Sequence, residues 1–339
     1  MTPANTITVI GAGSWGTALA IQFARSGHRT ILWGRVEDHL DRLDEDRENQ
    51  QFLPGAAFPD SLEVQPDLAR ALKESQVILV SVPSHAFRAV LEMLRPHLPD
   101  SARLAWATKG FELKTGKLPH QVAEEVLGHE IPKAVLSGPT FAKEVGAGLP
   151  SAMTVAASDE RYARELAESI SGETFRAYTS TDIIGVEVGG AVKNVLAIGA
   201  GICDGLGFGA NTRVALINRG LVEMTRLGVA LGAQPATFMG LAGMGDLVLT
   251  CTDNLSRNRR MGLALAAGKT VAEAEAEIRQ VVEGVKAADA VHTVAGQVGV
   301  EMPICEQIYR ILYQGAEPEE AVATLMQRAL KSEFAPGGG

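Results

Sequence analysis

The chain has 339 residues, of which 46% are hydrophobic and 21% are charged, and its formal net charge is −9. This composition is typical of a globular protein with about two domains, and it excludes extensive disorder. The acidic balance argues against general nucleic-acid binding, and no uninterrupted apolar run reaches the ~18 residues of a membrane span. We therefore expect no nucleic-acid partner and no integral membrane segment.

The cysteines indicate a reducing compartment. They are odd in number and far apart, at Cys203, Cys251 and Cys305, which does not suit a disulfide framework. The first residues lack the basic region of a secretory signal, so we predict a cytoplasmic protein. The seven histidines are scattered, and neither they nor the cysteines have metal-ligand spacing, so no metal site is predicted.

Strand and helix patterns alternate through the first half of the chain. Strands are predicted at 6–10, 29–33, 76–82, 102–107 and 133–137, with two further strands at the sheet edge, at 152–157 and 174–178. Helices are predicted at 14–26, 36–50, 67–74, 84–95 and 117–128. Such alternation is typical of βαβ units and a mostly parallel sheet.

The pattern of apolar residues changes after about residue 181. Residues 181–231 and 256–330 have long helical periodicity and almost no alternation of β-branched residues. We predict an α/β Rossmann-type N-terminal domain at residues 1–185, followed by an all-α C-terminal domain at 186–339. Apolar helix faces in the second half are compatible with a homodimer interface or with a core alone.

A glycine-rich motif follows the first predicted strand and opens the first predicted helix. It reads Gly11-Ala12-Gly13-Ser14-Trp15-Gly16, the G-x-G-x-x-G of dinucleotide-binding loops in the context that such loops require. Gly11 permits the tight turn, Gly13 lets the backbone approach a pyrophosphate, and Gly16 lets the helix pack on the strand. The alternative is a chance glycine-rich turn.

The end of the second strand bears on the choice of cofactor. A ribose-binding acid is expected ~20 residues after the motif, but the chain has Trp33-Gly34-Arg35 there and no acid before Glu37. A guanidinium at Arg35 can pair with a 2′-phosphate, which favours NADP(H) over NAD(H). Against this, Arg35 can be an ordinary exposed residue, and the nearby Glu37 and Asp38 oppose an anion.

Lys193 lies on the first long helix of the second half. Its neighbours on the helix surface are Gly189, Gly190, Leu196, Ala197 and Ala200, most of them very small. This spacing predicts a vacant volume beside the ammonium group, where the lysine can donate a proton to a carbonyl oxygen. The alternative is close helix packing through small residues, with Lys193 reaching out to solvent.

Several polar segments are candidates for binding an anion. Lys109 and the segment 137–140 follow predicted parallel strands, where ligands bind in open α/β sheets. The segment 256–260 (SRNRR) precedes a predicted helix and combines hydroxyl, amide and guanidinium donors, although it can also be a basic surface patch. Asp246 is predicted on a flexible turn, where it can orient Lys193, accept a substrate hydroxyl or cap a helix.

Together these residues resemble the NAD(P)-dependent glycerol-3-phosphate dehydrogenases of bacteria over nearly the whole chain. The motifs that carry the resemblance are GAGSWGTALA at 11–20, ATKGFE at 107–112, LSGPTFAKEV at 136–145, GGAVKNVLAIGAGICDGLGFG at 189–209, LAGMGDLVLTCT at 241–252 and SRNRRMG at 256–262. The resemblance implies a Rossmann domain and a helical domain with the active site between them. It also implies interconversion of dihydroxyacetone phosphate and sn-glycerol 3-phosphate, which feeds phospholipid synthesis.

The same resemblance implies roles for individual residues. Lys193 resembles the proton acceptor of the oxidative direction, and Lys109 a residue shared by cofactor and substrate. The other implied substrate contacts are Gly138, Thr140, Asp246, Ser256, Arg257 and Asn258. The implied cofactor contacts are Ser14, Trp15, Arg35, Ala142, Val281 and Glu283, with Arg257 touching both ligands. Thr140 stands where the family usually has serine, and because the hydroxyl is kept we expect the contact to survive.

Two other functions stay open at this point. A related two-domain reductase, such as a ketopantoate or β-hydroxyacid dehydrogenase, would share the architecture but would not need the donors at 256–260. A non-catalytic NADPH sensor would bind the cofactor and use its helical half to bind a partner protein.

Overall fold

A computed structural model describes residues 5–35 and 40–329 of the chain. These residues divide into two compact units. The first comprises Met1–Lys109 and Pro119–Ile183, and the second comprises Gly110–Leu118 and Ile184–Gly339. The predicted boundary between residues 185 and 186 stays a proposal.

The first unit is built on an eight-stranded sheet with the strand order β10-β9-β8-β7-β6-β1-β2-β5, beside a hairpin of β3 and β4. The strands are β1 (Thr6–Ile10), β2 (Arg29–Trp33), β3 (Glu48–Asn49), β4 (Leu53–Ala57), β5 (Leu62–Val64), β6 (Val77–Val80), β7 (Arg103–Trp106), β8 (Lys133–Ser137), β9 (Ser151–Ala157) and β10 (Phe175–Ser180). Within the eight-stranded sheet all neighbours pair in parallel except β8 with β9, which are antiparallel. The order around β1 is that of a doubly wound nucleotide-binding fold, whose switch point lies between β1 and β6.

One group of helices accompanies this sheet, and a second group makes up the second unit. The first group is α1 (Ser14–Arg25), α2 (Leu40–Asp46), α3 (Leu68–Lys73), α4 (Ser84–Leu94), α5 (Pro119–Leu127), α6 (Ala142–Gly146) and α7 (Glu160–Ile170). The second group is α8 (Ile183–Gly205), α9 (Gly209–Ala230), α10 (Asp246–Thr252), α11 (Arg257–Ala266), α12 (Val271–Ile278), α13 (Glu283–Val298), α14 (Pro303–Gln314) and α15 (Pro318–Met326). The predicted fold class is confirmed.

The central strands are continuous apolar runs in the sequence. Helices cover both faces of a parallel sheet, so side chains on both faces of these strands are buried. In β1 and β6 every residue except Thr6 is buried. The turn Ser26-Gly27 ends α1 as the sequence predicted, with Gly27 at a φ of +90°.

The predicted helix at 36–50 is confirmed at Leu40–Asp46 and wrong at residues 47–50. Helix α2 covers only Leu40–Asp46, residues 36–39 lie outside the described part of the chain, and Glu48–Asn49 already belongs to the hairpin. Charge density indicated a solvated helix, but the turn-forming pair Pro54-Gly55 selects a hairpin after it. The sequence analysis also missed β5, α6 and α7.

Helix α8 is the centre of the second unit. All of its residues from Gly185 to Cys203 are buried, which explains its apolar composition. Among the described helices it is the one long and apolar enough to cross a membrane, and 89% of its most apolar stretch is buried. Burial on all sides is typical of a core helix.

The segment Gly110–Leu118 belongs to the helical unit, which the sequence did not predict. Phe111 and Leu118 are 1% and 3% exposed and lie in the core of that unit. At Gly116, whose φ is +70°, a Cβ atom would lie 2.9 Å from the Val294 side chain. The chain therefore passes from one unit to the other directly after Lys109.

Candidate active site

The glycine motif lies where β1 turns into α1, and two of its glycines are required by close approach. Gly11 has a φ of +116°, and a Cβ atom there would lie 2.4 Å from the carbonyl oxygen of Ser81, after β6. A Cβ atom on Gly16 would lie 1.9 Å from the carbonyl oxygen of Gly11. A larger residue at either position would push the turn apart.

The third glycine of the motif faces open space. A Cβ atom on Gly13 would meet no atom within 4 Å. Helix α1 starts directly after it, so the first amides of the helix and its positive dipole end point to the same place. The buried Trp15 Nε1 atom has no hydrogen-bond partner among the described residues. Unused donors at an open helix start fit the diphosphate of a dinucleotide.

The other first-unit candidates follow the carboxyl ends of parallel strands, and therefore share one edge of the sheet. They are Arg35 after β2, Lys109 after β7, and Gly138, Thr140 and Ala142 after β8. Gly138 has a φ of +155°, and a Cβ atom there would lie 2.8 Å from the Cα atom of Met153 in β9. The Thr140 hydroxyl donates to the carbonyl oxygen of Gly138 at 3.3 Å.

Arg35 is exposed directly after β2, where the sequence analysis expected the ribose to bind. Its acidic neighbours Glu37 and Asp38 lie outside the described residues. The preference for NADP(H) therefore rests on Arg35 and stays a proposal.

Lys193 lies in the middle of α8 and is 7% exposed. Its Nζ atom donates to Asp246 Oδ1 at 2.5 Å and to Thr250 Oγ1 at 3.1 Å. The Thr250 hydroxyl in turn donates to the carbonyl oxygen of Asp246 at 2.6 Å. Because its hydrogen is used there, Thr250 presents a lone pair to the ammonium group.

This geometry bears on both interpretations of Lys193. The lysine does not reach out to solvent, because its amine is held by buried partners. The space over Gly189 is not vacant either, since a Cβ atom there would lie 2.4 Å from the carbonyl oxygen of Ala242. Gly189 therefore allows the backbone of α8 to pack closely against the backbone at Ala242.

Asp246 is 1% exposed and begins α10. The predicted flexible turn before it is wrong, because Leu241–Gly245 forms a π-helical turn that runs directly into the helix. Its side chain does not cap α10, and of the three roles considered the structure shows the pairing with Lys193. A π-helical turn is often found at functional sites.

A thiol beside this pair stays protonated. Desolvation by burial raises the pKa of Cys251 to about 12, although the charge of Lys193 acts in the opposite direction. Cys251 is therefore no nucleophile at neutral pH.

The residue after Lys193 connects α8 to two other predicted site segments. Asn194 Oδ1 accepts from Asn258 Nδ2 at 2.8 Å, and Asn258 Oδ1 accepts from the Gly284 amide at 2.8 Å. Asn194 Nδ2 also donates to Glu283 Oε2 at 3.4 Å. The starts of α11 and α13 are thereby tied to the lysine helix, with Val281 exposed just before α13.

Helix α11 begins at the basic segment, as the sequence predicted. Ser256 is its N-cap and accepts from the Arg259 amide at 3.2 Å, which leaves the hydroxyl hydrogen for another acceptor. Arg259 is buried and ion-paired with Asp204 at 2.5 Å. Arg257 is partly exposed, and no described residue forms a hydrogen bond or ion pair with its guanidinium. Of these two arginines, Arg257 is therefore the one whose charge is not neutralised by an ion pair with a described residue.

Two residues of this site were not singled out from the sequence. Thr250 has a signal that could have been used, because it lies four residues after Asp246 and so on the same helix face. Asn194 stood inside the quoted motif beside Lys193, but nothing in the sequence showed which helices its amide would join.

Among the described residues no group of three potential ligands could hold a metal ion. His85 is exposed at the start of α4.

The chain matches two family models along most of its length. Residues 6–163 match the N-terminal model of the NAD-dependent glycerol-3-phosphate dehydrogenases, and residues 182–323 match the C-terminal model. A glycerol-3-phosphate dehydrogenase [NAD(P)+] of Vibrio cholerae is 58% identical over 328 residues, which cover 96% of this chain and 95% of that protein.

Solved structures give the same relationship. The crystal structure of glycerol-3-phosphate dehydrogenase from Coxiella burnetii has a TM-score of 0.92 and 45% identity, and covers 96% of this chain and 99% of its own. A ketopantoate reductase from Ralstonia eutropha has a TM-score of 0.58 and 15% identity, covering 94% of this chain and 99% of its own, which shows a common fold alone.

Proposed function

This chain belongs to the NAD-dependent glycerol-3-phosphate dehydrogenase family, and we propose that it interconverts dihydroxyacetone phosphate and sn-glycerol 3-phosphate. NADP(H) is the favoured cofactor, with NAD(H) as the alternative. The observation that carries this proposal is the buried Lys193–Asp246 pair, with the phosphate-binding donors of α11 tied to the lysine helix through Asn194.

Lys193 is the proton donor in the reductive direction. The nicotinamide cofactor supplies the hydride that reaches C2 of the ketone. Asp246 and Thr250 accept hydrogen bonds from the Nζ atom of Lys193 and hold it in place. The proton passes from Nζ to the ketone oxygen, and in the oxidative direction the amine takes it back.

Arg257 and the start of α11 bind the substrate phosphate. A guanidinium forms paired hydrogen bonds with phosphate oxygens, and the first amides of the helix add their dipoles. Binding energy from this group, remote from the reacting carbon, positions C2.

Family membership supports the remaining assignments as proposals. The proposed substrate contacts are Lys109, Gly138, Thr140, Lys193, Asp246, Ser256, Arg257 and Asn258. The proposed cofactor contacts are Gly11, Gly13, Ser14, Trp15, Gly16, Arg35, Lys109, Ala142, Arg257, Val281 and Glu283.

The cellular compartment and the oligomeric state of the protein are also proposals. All three cysteines are free and buried, which fits a reducing compartment and our proposal of the cytoplasm. A homodimer stays a proposal, which light scattering of the purified protein tests.

The test is a spectrophotometric assay with purified protein, NADPH and dihydroxyacetone phosphate. We expect oxidation of NADPH, and less activity with NADH or with ketopantoate as substrate. Binding of NADPH without oxidation would favour the sensor, and a preference for ketopantoate would favour the related reductase.

Replacement of the lysine tests its role. We expect Lys193→Ala to lower kcat at least tenfold, a barrier increase of about 1.4 kcal/mol or more, while NADPH still binds. Lys269→Ala, at an exposed lysine of the same unit, is the matched control and should keep full activity. A Lys193→Ala variant with more than a tenth of the normal kcat would contradict the assignment.

A further inference from the structure

Asn49 is a buried amide outside the motifs discussed so far, and it lies in the β3–β4 hairpin of the first unit. We propose that Asn49 is a positioning residue that turns the Ala12–Gly13 peptide of the glycine loop towards the diphosphate of the cofactor. The proposal rests on the proposed function only in that the ligand is a dinucleotide.

Every polar atom of the Asn49 side chain is used. Asn49 is only 1% exposed. Its Nδ2 atom donates to the Ala12 carbonyl oxygen and to Thr17 Oγ1, each at 2.9 Å. Its Oδ1 atom accepts from the Phe52 amide at 3.0 Å. Exchanging the oxygen and nitrogen would place the amide oxygen against the Ala12 carbonyl and the NH₂ group against the Phe52 amide, so the network defines one orientation.

This bond determines which way the next amide points. In a trans peptide the C=O and N–H groups point in opposite directions. Because the Ala12 carbonyl is directed at Asn49, the Gly13 N–H is directed away from the hairpin. At Gly13 an added Cβ atom would find open space, so this amide has room for a ligand atom beside it. An N–H group fixed in this way is a donor suited to a phosphate oxygen.

The hairpin that carries Asn49 is itself held firmly. The Arg47 guanidinium donates to the carbonyl oxygens of Pro59 at 2.9 Å and Leu62 at 2.8 Å. On the other strand Leu53 is 3% exposed, and a Cβ atom on Gly146 would lie 2.9 Å from its side chain. Asn49 is therefore presented from a packed element, and the glycine loop need not order itself when the ligand arrives.

The decisive variant is Asn49→Asp, which keeps the size of the side chain and removes its donors. We expect the Kd for NADPH, measured by calorimetric titration, to rise about 10- to 100-fold, the effect of losing one hydrogen bond to a charged group. Adenosine 2′-monophosphate has no diphosphate, and its Kd should change less than threefold. At saturating NADPH kcat should stay within threefold of wild type, while KM for NADPH rises.

A pH series separates positioning from general damage. A protonated aspartic acid can still donate one hydrogen bond to the Ala12 carbonyl, whereas the carboxylate repels it. The NADPH affinity of Asn49→Asp relative to wild type should therefore fall as the pH rises from 5 to 8. Asn49→Ser, which is too short to reach Ala12, should bind weakly at every pH and provides the test if Asn49→Asp does not fold.

Gln50→Glu is the matched control. It makes the same amide-to-acid change one residue away in the hairpin, at an exposed position, and should bind NADPH as wild type does. NADPH affinity within threefold of wild type in Asn49→Asp, or equal weakening of both ligands, would overturn the proposal. Because binding is measured without turnover, a wild-type protein that binds NADPH but does not reduce dihydroxyacetone phosphate would contradict the proposed function alone.

Discussion

At the residue scale, similar side chains have different tasks because they have different partners. Arg257 and Arg259 are two positions apart on α11, yet Arg259 is buried against Asp204 whereas Arg257 is partly exposed. The charge of the buried Arg259 is neutralised by its ion pair with Asp204, so it attracts a bound anion only weakly. The charge of the partly exposed Arg257 is not neutralised in this way and can attract an anion.

Arg257→Ala should therefore weaken substrate binding more than it slows the chemical step. We expect kcat/KM for dihydroxyacetone phosphate to fall about 10- to 100-fold, chiefly through KM, because one charged contact is lost. Steady-state kinetics check this, with Arg310→Ala at an exposed arginine of α14 as the control. An unchanged KM in Arg257→Ala would mean that the phosphate binds elsewhere.

At the element scale, two helices meet through charges that oppose their own dipoles. Asp204 lies in the last turn of α8 and Arg259 in the first turn of α11, so each is unfavourable at its own helix end. Asp204 is the counter-ion of Arg259, and both side chains are only 10% exposed, while Asp204 also pairs with Arg213 at 2.8 Å. The pair therefore locks the start of the phosphate-binding helix to the end of the lysine helix.

Breaking this pair should be costly. Arg259→Met leaves Asp204 buried with fewer partners, and we expect a loss of about 3–5 kcal/mol in the free energy of unfolding. The double variant Asp204→Leu/Arg259→Met should recover part of it, because the buried carboxylate is then removed as well and only the partly exposed Arg213 loses its ion-pair partner. Urea unfolding of the single and double variants measures the coupling, and purely additive losses would show that the pair does not act as a unit.

A second helix start depends on a buried carboxyl. Glu223 of α9 accepts from the amides of Ile304 at 2.7 Å and Cys305 at 3.1 Å, at the beginning of α14. Desolvation by burial raises its pKa to about 7, although these hydrogen bonds act in the opposite direction. The carboxyl group is thus protonated more readily in the folded than in the unfolded protein.

The sign of the resulting pH dependence follows from this difference. The contribution of Glu223 to the free energy of unfolding is fully present below pH 4.5, the pKa of this carboxyl group in the unfolded chain. This contribution falls by roughly 3 kcal/mol as the pH rises to about 7, the pKa in the folded protein. In Glu223→Gln this part of the pH dependence should disappear, so wild type should lose stability relative to the variant between pH 5 and pH 7. Urea unfolding across that range measures it, with Glu301→Gln at an exposed acid as the control. A difference between wild type and Glu223→Gln that does not vary with pH would refute this account.

At the scale of the whole molecule, each unit has its own hydrophobic core. The core of the first unit surrounds the sheet, and that of the second surrounds α8. The glycine loop belongs to the first unit and the lysine pair to the second. Stability and ligand response can therefore be followed for each unit separately.

We expect two transitions in calorimetric unfolding, of which NADPH shifts one preferentially. At a free concentration of 100 times its Kd, a ligand adds about 2.7 kcal/mol to the stability of the unit that binds it. Adenosine 2′-monophosphate should shift the same transition by a smaller amount. A single transition whose calorimetric and van't Hoff enthalpies agree would show that the units unfold together.

The sequence by itself determined the alternating order of most strands and helices, the glycine loop and Lys193 as a candidate for the reactive group. These follow from local patterns, since alternating apolar runs specify strands and helices, and Gly11 and Gly16 mark a turn in which a Cβ atom would collide with a carbonyl oxygen. It failed at residues 47–50, where charge density predicted that the helix continues and the structure has the start of a hairpin that carries Asn49.

Only the tertiary structure decided what each polar side chain meets. Asp246 had three open roles, and the fold selected one by bringing α10 within 2.5 Å of Lys193. Arg257 and Arg259 looked equivalent until one was buried against Asp204. Partners separated by tens of residues cannot be inferred from spacing, because their distance depends on how helices pack, and that packing is a property of the folded chain.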